Sequence, residues 1–148
     1  MLSFKSLTAA AVIALGATSA QAITFTEDGS SVTLTDSGSG LVCFITNCGV
    51  SAAHASGRDG MTFDLDNAGD MNSFDFLTFT GQGSGLTAFD ITATLAFNPP
   101  SLSTTSGGSG GALLKRGTII GGTLTWDDVP ETYVLSDGSE VSVDFAGG

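Results

Sequence analysis

Positive charge is scarce in this chain, which has four lysine and arginine residues against fifteen aspartate and glutamate residues in a total of 148. Nucleic acids and anionic membrane surfaces attract proteins through clustered lysine and arginine, which displace the counterions of the phosphates. With a formal net charge of −11, the chain repels both kinds of surface. The composition therefore argues against a nucleic-acid partner and against binding to an anionic membrane.

The groups that most often perform catalysis are also scarce. The chain has a single histidine, His54, and two cysteines, Cys43 and Cys48. Catalytic triads and metal sites combine a histidine with partners that the fold brings to it, and the zinc sequence H-E-x-x-H is absent. We therefore interpret His54 as a solvent-exposed loop residue, and we predict no catalytic residue and no cofactor-binding residue.

The first 22 residues have the pattern of a secretory signal peptide. Lys5 supplies the positive charge, residues 7–15 form an apolar run, and Ala20-Gln21-Ala22 fits the small-x-small cleavage rule. The run is too short for a membrane-spanning helix, which needs about 20 apolar residues. We predict cleavage after Ala22, no retained membrane anchor, and export from the cytoplasm of a bacterium.

Residues 23–148 are predicted to be one domain with fifteen acids, three basic residues and a net charge of −12. Acidic chains can be disordered, but this one has 41% hydrophobic residues and ten phenylalanines to bury. Because the thiols of exported proteins tend to oxidise, we predict a disulfide between Cys43 and Cys48 that closes a small loop.

Apolar and polar residues alternate along most of this domain, which is the pattern of strands buried on one face. The longest run places five apolar residues on one side of a strand: Phe89, Ile91, Ala93, Leu95 and Phe97. Turns that contain glycine, such as Asp28-Gly29 and Asp137-Gly138, separate the runs. These features predict an all-β fold, an antiparallel β-sandwich of jelly-roll type with about eight to ten short strands; an open β-barrel is the alternative.

Two segments interrupt the alternation. Phe74 and Phe76 share one face, but Leu77 and Phe79 continue on the other, which predicts a β-bulge between them. The segment Pro99–Gly111 is rich in serine and glycine, so we predict a long mobile loop there.

One acidic segment has the composition of a calcium site. Asp64, Asp66 and Asp70 supply oxygen ligands at a spacing that resembles a calcium-binding loop. The match to an EF-hand fails at Ala68, where an aspartate or asparagine is required, and at Asp75, where a glutamate is required. Two interpretations stay open, a structural calcium site of another kind and an acidic turn without a metal.

Two aromatic residues are candidates for stacking on a sugar ring, Trp126 and Tyr133. Trp126 shares its face with Leu124, so we expect it in the core, and the position of Tyr133 stays open. The adjacent acids Asp127-Asp128 would point to opposite faces of a strand, which argues against a pair that hydrolyses a glycosidic bond.

Three segments, 62–85, 89–102 and 121–145, resemble exported proteins of the PEP-CTERM and VPLPA-CTERM kind, most clearly in the phrases G-T-L-T-W and L-x-D-G-S. The resemblance implies a surface or exopolysaccharide-associated protein, a relative of substrates of exosortase sorting systems, without catalytic residues to transfer. Because such proteins occur in Gram-negative bacteria, it also implies export across the inner membrane of a Gram-negative bacterium, to the outside or to the periplasm. Members of this family end in a Pro-Glu-Pro-like motif, an apolar helix and a basic tail. This sequence ends instead at Phe145-Ala146-Gly147-Gly148, which implies free release or a shortened relative.

Taken as a whole, the sequence predicts a non-enzymatic secreted, cell-surface or matrix-associated protein whose partners are extracellular polysaccharide or other surface proteins. A carbohydrate- or calcium-dependent binding module is the alternative, and a glycan-active hydrolase is the second alternative.

Overall fold

A computed structural model describes residues 8–16, 21–36, 43, 47–127 and 130–147, which form eleven strands. The all-β class predicted from the alternation is confirmed. Among the described residues, no helix is long and apolar enough to cross a membrane. The strands are β1 (Thr8–Leu15), β2 (Ile23–Thr26), β3 (Ser31–Asp36), β4 (Gly49–His54), β5 (Thr62–Leu65), β6 (Met71–Gln82), β7 (Gly85–Phe97), β8 (Leu102–Lys115), β9 (Thr118–Trp126), β10 (Glu131–Val134) and β11 (Glu140–Ala146).

The strands form two antiparallel sheets that pack against each other, with a small third sheet beside them. One sheet has the order β10-β11-β1-β6-β4, the other has the order β3-β7-β8-β9, and β2 pairs with β5. Aromatic rings from both large sheets meet in a single core. The ring centroids of Trp126 and Phe145 are 5.1 Å apart, and those of Phe76 and Phe145 are 5.2 Å apart. Trp126 is 6% exposed, which confirms its predicted core position.

The predicted β-bulge is present in β6. Ala9 of β1 lies opposite Leu77, whereas the next residue, Ala10, lies opposite Asp75, so Phe76 is the extra residue. Both Phe76 and Leu77 are fully buried as a result, although neighbours on a regular strand point to opposite faces.

The prediction of a mobile loop at Pro99–Gly111 is wrong, because most of that segment belongs to β8. This strand pairs with β7 from Leu102 to Leu114 and with β9 from Gly108 onward. Its inward positions alternate with exposed ones as in any strand, but several are filled by threonine, serine and glycine instead of large apolar residues.

The glycines of β8 are required by close packing. A Cβ atom at Gly110 would lie 2.5 Å from Cζ of Phe89, and one at Gly108 would lie 3.1 Å from Cε3 of Trp126. Distances this short leave no room for a side chain, so any larger residue would push an aromatic ring or a neighbouring strand aside. Here a composition that is typical of a flexible linker makes room beside β8 for the large rings of its neighbours β7 and β9 in the same sheet.

The apolar run of the predicted signal peptide forms β1, the central strand of the five-stranded sheet. Its inward side chains are at most 2% exposed: Ala9, Ala11, Ile13 and Leu15. The amide of Gly16 donates to the carbonyl of Glu140 at 2.7 Å, next to the end of the strand. The predicted domain begins at Ile23 and therefore omits this segment, whereas the other ten strands agree with the predicted eight to ten.

Cleavage after Ala22 stays a prediction, and it would remove β1 from between β6 and β11. Lys5 and Ala20, on which part of the signal-peptide prediction depends, lie outside the described residues, as does Asp128.

We expect a chain that begins at Ile23 to be less stable than the full chain by at least about 3 kcal/mol, because burying a side chain such as Ile13 or Leu15 contributes about 1.5–3 kcal/mol. Chemical denaturation of the two chains measures this difference. Amide hydrogen exchange shows whether the edges of β6 and β11 lose protection, and a peptide of residues 5–18 added in trans is expected to restore it. Equal stability and equal protection in the two chains would contradict a structural role for β1.

Candidate functional site

A fully buried carboxylate, Glu27, lies just after β2 and is held by two basic side chains. Its Oε1 atom is 2.5 Å from Nε2 of His54 on β4, and its Oε2 atom accepts a hydrogen bond of 2.9 Å from Nε of Arg58. The guanidinium carbon of Arg58 lies 3.9 Å from the centroid of the Phe74 ring, a cation–π arrangement. Two segments that are distant in sequence, one at Glu27 and the other at residues 54–58, are thus joined at one carboxylate.

The surroundings of Glu27 indicate a structural role. A buried carboxylate is costly unless it is paired and hydrogen-bonded, and both oxygens of Glu27 have such a partner. A histidine beside an acid also occurs in general acid–base sites, where the acid orients the imidazole. Here the same carboxylate is shared with Arg58 and has no exposed surface, so the arrangement serves to fasten β2 to β4.

The prediction that His54 is an exposed loop residue is wrong, because the residue ends β4 and its side chain is 18% exposed. Sequence reasoning missed the cluster since Glu27 is separated from its two partners by 27 and 31 residues. One feature of the sequence could have indicated the cluster. Arg58 is one of only four lysine and arginine residues in an acidic chain, so a carboxylate partner for it was to be expected.

A second carboxylate, Glu131 on the edge strand β10, accepts hydrogen bonds from two hydroxyl groups. Tyr133, two residues further on, donates to Oε2, and Thr104 of β8 donates to the same atom at 2.8 Å. The hydrogen bond from Tyr133, with that from Thr104, holds the pKa of Glu131 below its ordinary value. Burial, with the hydrogen bond to Glu131, raises the pKa of Tyr133. The position of Tyr133, open from the sequence, is therefore a half-buried one in which the ring is held by its hydroxyl group.

Tyr133 also forms one wall of a cleft between the two large sheets. The cleft has a volume of about 340 Å³ and lies between the start of β8 and the end of β10. We call it the Tyr133 cleft; its lining residues are Pro100, Ser101, Leu102, Ser103, Tyr133, Val134, Leu135 and Ser136. They combine apolar surface with three serine hydroxyl groups and carry no charge.

The outward side of the four-stranded sheet carries many hydroxyl groups and little charge. Ser31, Thr94 and Thr105 stand side by side on three neighbouring strands, and the hydroxyl oxygens of Thr94 and Thr105 are 2.7 Å apart. At the outward positions of these four described strands, Asp90 is the single carboxylate. We call this surface the hydroxyl face; its residues are Ser31, Thr33, Thr35, Thr92, Thr94, Ser103, Thr105, Ser109, Thr123 and Thr125.

Two of the three acids of the calcium hypothesis, Asp64 and Asp70, make separate hydrogen bonds. Oδ2 of Asp70 accepts hydrogen bonds from the backbone amides of Asp66 at 3.1 Å and Asn67 at 2.8 Å, which shapes the turn after β5. Asp64 accepts one of 2.5 Å from the hydroxyl of Thr24 on the neighbouring strand. Within the described part of the chain, no three His, Cys, Asp or Glu side chains are grouped so that they could hold a metal ion. The calcium site stays a prediction.

Two further sequence features are an acidic pair after β9 and a serine within β8. Asp127, which follows β9, is exposed, while its neighbour Asp128 is outside the described residues. The segment Gly107–Gly111 has the spacing G-x-S-x-G of serine hydrolases, but Ser109 lies in the middle of β8 on the hydroxyl face. The nucleophile of that enzyme class needs a sharp turn from a strand to a helix, so the spacing is coincidental here.

The predicted disulfide between Cys43 and Cys48 is present. It packs against the start of β7 at Gly85, whose φ of 139° lies in the region that favours glycine. A Cβ atom there would be 3.1 Å from Sγ of Cys43, so glycine also admits the disulfide.

No protein-family model, no curated protein and no solved structure matches this chain. The candidate functional features of the described residues are therefore the two hydrogen-bonded carboxylates, the Tyr133 cleft and the hydroxyl face.

We expect Glu27→Gln to lower the free energy of unfolding by about 3–5 kcal/mol, because Arg58 is then left in a largely buried position without its counter-charge. Asp28→Asn is the matched control, since it makes the same chemical change at the next residue, which is exposed. Urea denaturation of both variants gives the comparison. A loss in Glu27→Gln below about 1 kcal/mol, the range of surface ion pairs, would show that the cluster is not a structural fastening.

The hydrogen bonds to Glu131 predict a pH dependence of stability. Because folding lowers the pKa of this carboxyl group, its contribution is present above the ordinary value of 4.5 and is lost as the pH falls through the lowered folded value. The variant Tyr133→Phe removes the hydrogen bond that lowers the pKa of Glu131 the most. The difference in melting temperature between the wild type and this variant should therefore be constant from about pH 5 to 7 and shrink below about pH 4.5. A difference that persists unchanged at about pH 3 would contradict this role of Tyr133.

Proposed function

We propose that this chain is a non-enzymatic protein of the cell exterior that associates with neutral extracellular polysaccharide through the hydroxyl face. The observation that carries the proposal is the contrast between this face and the rest of an acidic protein. Both sheets carry serine and threonine at outward positions, but the opposite sheet also carries Asp75, Glu140 and Asp144 there, whereas Asp90 is the single outward carboxylate of the described strands of the hydroxyl face.

A regular array of hydroxyl groups suits a polymer that is itself covered with hydroxyl groups. Each can donate one hydrogen bond and accept others, and a single such bond contributes only about 0.5–1.5 kcal/mol net. Useful affinity then comes from many contacts made at once along a long polymer. A neutral polymer avoids the repulsion that a net charge of −11 imposes on a polyanion.

Three features support a location outside the cytoplasm. The signal-peptide pattern of the first 22 residues indicates export. The disulfide between Cys43 and Cys48 is typical of proteins in oxidising compartments. The resemblance of residues 62–85, 89–102 and 121–145 to PEP-CTERM and VPLPA-CTERM proteins implies association with exopolysaccharide.

The use of the hydrogen-bonded carboxylates supports a non-enzymatic role. Glycosidases place two carboxyl groups on opposite sides of one scissile bond, about 5–9.5 Å apart. Glu27 has no exposed surface with which to meet a substrate, and Glu131 is engaged by Tyr133 and Thr104. Both carboxylates hold strands together in the folded chain.

The proposal is tested by co-sedimentation of the purified full-length chain with insoluble neutral polysaccharides and with the extracellular matrix of the producing bacterium. In the variant Thr92→Glu/Thr105→Glu, two long charged side chains disrupt the hydroxyl face, and we expect the bound fraction to fall by about fivefold or more. The control Ser73→Glu/Thr132→Glu adds the same charge at exposed positions of the opposite sheet.

Binding that is lost in the first variant and retained in the control supports the proposal. Equal binding by the two variants, or no sedimentation of the wild type with any polysaccharide, would overturn it. Fractionation of the producing cells provides a separate check, because a protein that stays in the cytoplasm with reduced cysteines is not a component of the cell exterior.

A further inference from the structure

The Tyr133 cleft has a wall that is positioned before any ligand arrives. The ring of Tyr133 belongs to β10 of one sheet, and its hydroxyl group is bound to Glu131, which also accepts from Thr104 of the other sheet. Thr104 is 2% exposed, so the chain of hydrogen bonds is anchored in the core. A ring fixed in this way loses little conformational freedom when a ligand stacks on it.

The lining of the cleft matches the two sides of a sugar ring. Leu102, which is 7% exposed, and Leu135 add apolar surface beside the ring of Tyr133, while Ser101 and Ser136 place hydroxyl groups at the exposed rim. A pyranose has an apolar face that packs on aromatic rings and an edge of hydroxyl groups that need hydrogen-bond partners. The volume of about 340 Å³ lies at the lower end of the range of small-molecule sites, which suits one sugar unit.

The charges in and around the cleft favour a neutral sugar over an anionic one. The lining residues carry no basic side chain that would bind a carboxylate, sulfate or phosphate group. Glu131 lies directly behind Tyr133, and its hydrogen bonds favour the ionised form, so an anionic sugar would be repelled. A neutral sugar meets no such repulsion.

We propose that the Tyr133 cleft binds a single unit of a neutral saccharide by stacking on Tyr133. The proposal rests on the proposed function and deepens it, because Ser103 belongs both to this cleft and to the hydroxyl face. A polysaccharide that lies along the hydroxyl face can place one unit or its chain end in the cleft. The face then supplies many weak contacts, and the cleft supplies the selectivity for the sugar.

The test uses short neutral probes, cellohexaose and mannohexaose, with hexagalacturonate as the anionic comparison. Saturation-transfer NMR detects binding to the full-length chain, and titration gives the dissociation constant. We expect Tyr133→Ala to weaken binding of the neutral probe by about tenfold or more, and Tyr133→Phe, which keeps the ring but not its anchor, to weaken it less.

A second variant tests the cleft without touching the hydrogen bonds behind it. Ser136→Arg places a long side chain at the exposed rim and is expected to block the neutral probes. Ser51→Arg is its control, because it makes the same change at an exposed position on β4, at the other edge of the same sheet.

The results separate this inference from the proposed function. Loss of hexasaccharide binding in Ser136→Arg but not in Ser51→Arg supports the cleft. Unchanged binding in Ser136→Arg, or stronger binding of hexagalacturonate than of the neutral probes, overturns it. If the wild type binds no hexasaccharide but still sediments with polysaccharide through the hydroxyl face, the cleft proposal fails and the proposed function stands. If it binds neither, both fail.

Discussion

The close approach of aromatic rings to the glycines of β8 is the constraint on which the rest of the structure depends. Gly108 and Gly110 lie where any side chain would meet the rings of Trp126 and Phe89. Because these positions are empty of side chains, β8 can lie between β7 and β9 while large rings from its neighbours fill the core. The same strand then presents Ser103, Thr105 and Ser109 outward and Thr104 inward. The hydroxyl face and the anchor of the Tyr133 cleft both follow from the path of this one strand.

Most of the fold could be predicted from the sequence, because alternation of apolar and polar residues reports directly which side of a strand is buried. The run from Phe89 to Phe97, the bulge at Phe76 and the core position of Trp126 all follow from that rule. The rule fails for β8, since its inward positions are occupied by small residues that also compose flexible linkers. Gly108 and Gly110 are small because backbone carbonyl oxygens and aromatic rings of neighbouring strands leave no space beside them, and a single sequence does not show which strands are neighbours.

The candidate sites were harder to predict than the fold, because they depend on contacts between residues far apart in the chain. The partners of Glu27 are 27 and 31 residues away, and Thr104 is 27 residues from Glu131. Tyr133 was identified as a candidate from its chemistry, but its role depends on Glu131, which no sequence motif indicates. Acids with local partners were more informative: the turn formed by Asp70 and the amide of Asn67 is a pattern that sequence reasoning can recognise.

The two hydrogen-bonded carboxylates, Glu27 and Glu131, differ in whether the side chains that they hold remain accessible to a ligand. Glu27 is fully buried, and its two oxygens bind His54 and Arg58, so the whole cluster has a structural role. Glu131 has its contacts concentrated on one oxygen, and the residues it holds include the wall of a cleft. A similar chemical arrangement therefore fastens strands in one place and positions a surface for a ligand in the other. Burial decides between these roles.

The segment Thr8–Leu15 meets two physical requirements that usually select different sequences. A secretory leader needs an unbroken apolar run, whereas a strand buried on one face usually alternates apolar and polar residues. In β1 the outward residues are apolar as well (Ala10, Val12 and Ala14), so one apolar run fits both the predicted leader and a strand whose inward side chains, among them Ile13 and Leu15, are buried. If the leader is removed, the facing edges of β6 and β11 lose the strand that pairs with both, and unpaired edges of this kind recruit other strands. How a chain shortened in this way satisfies these two edges then determines whether it exists as a single molecule or as an assembly.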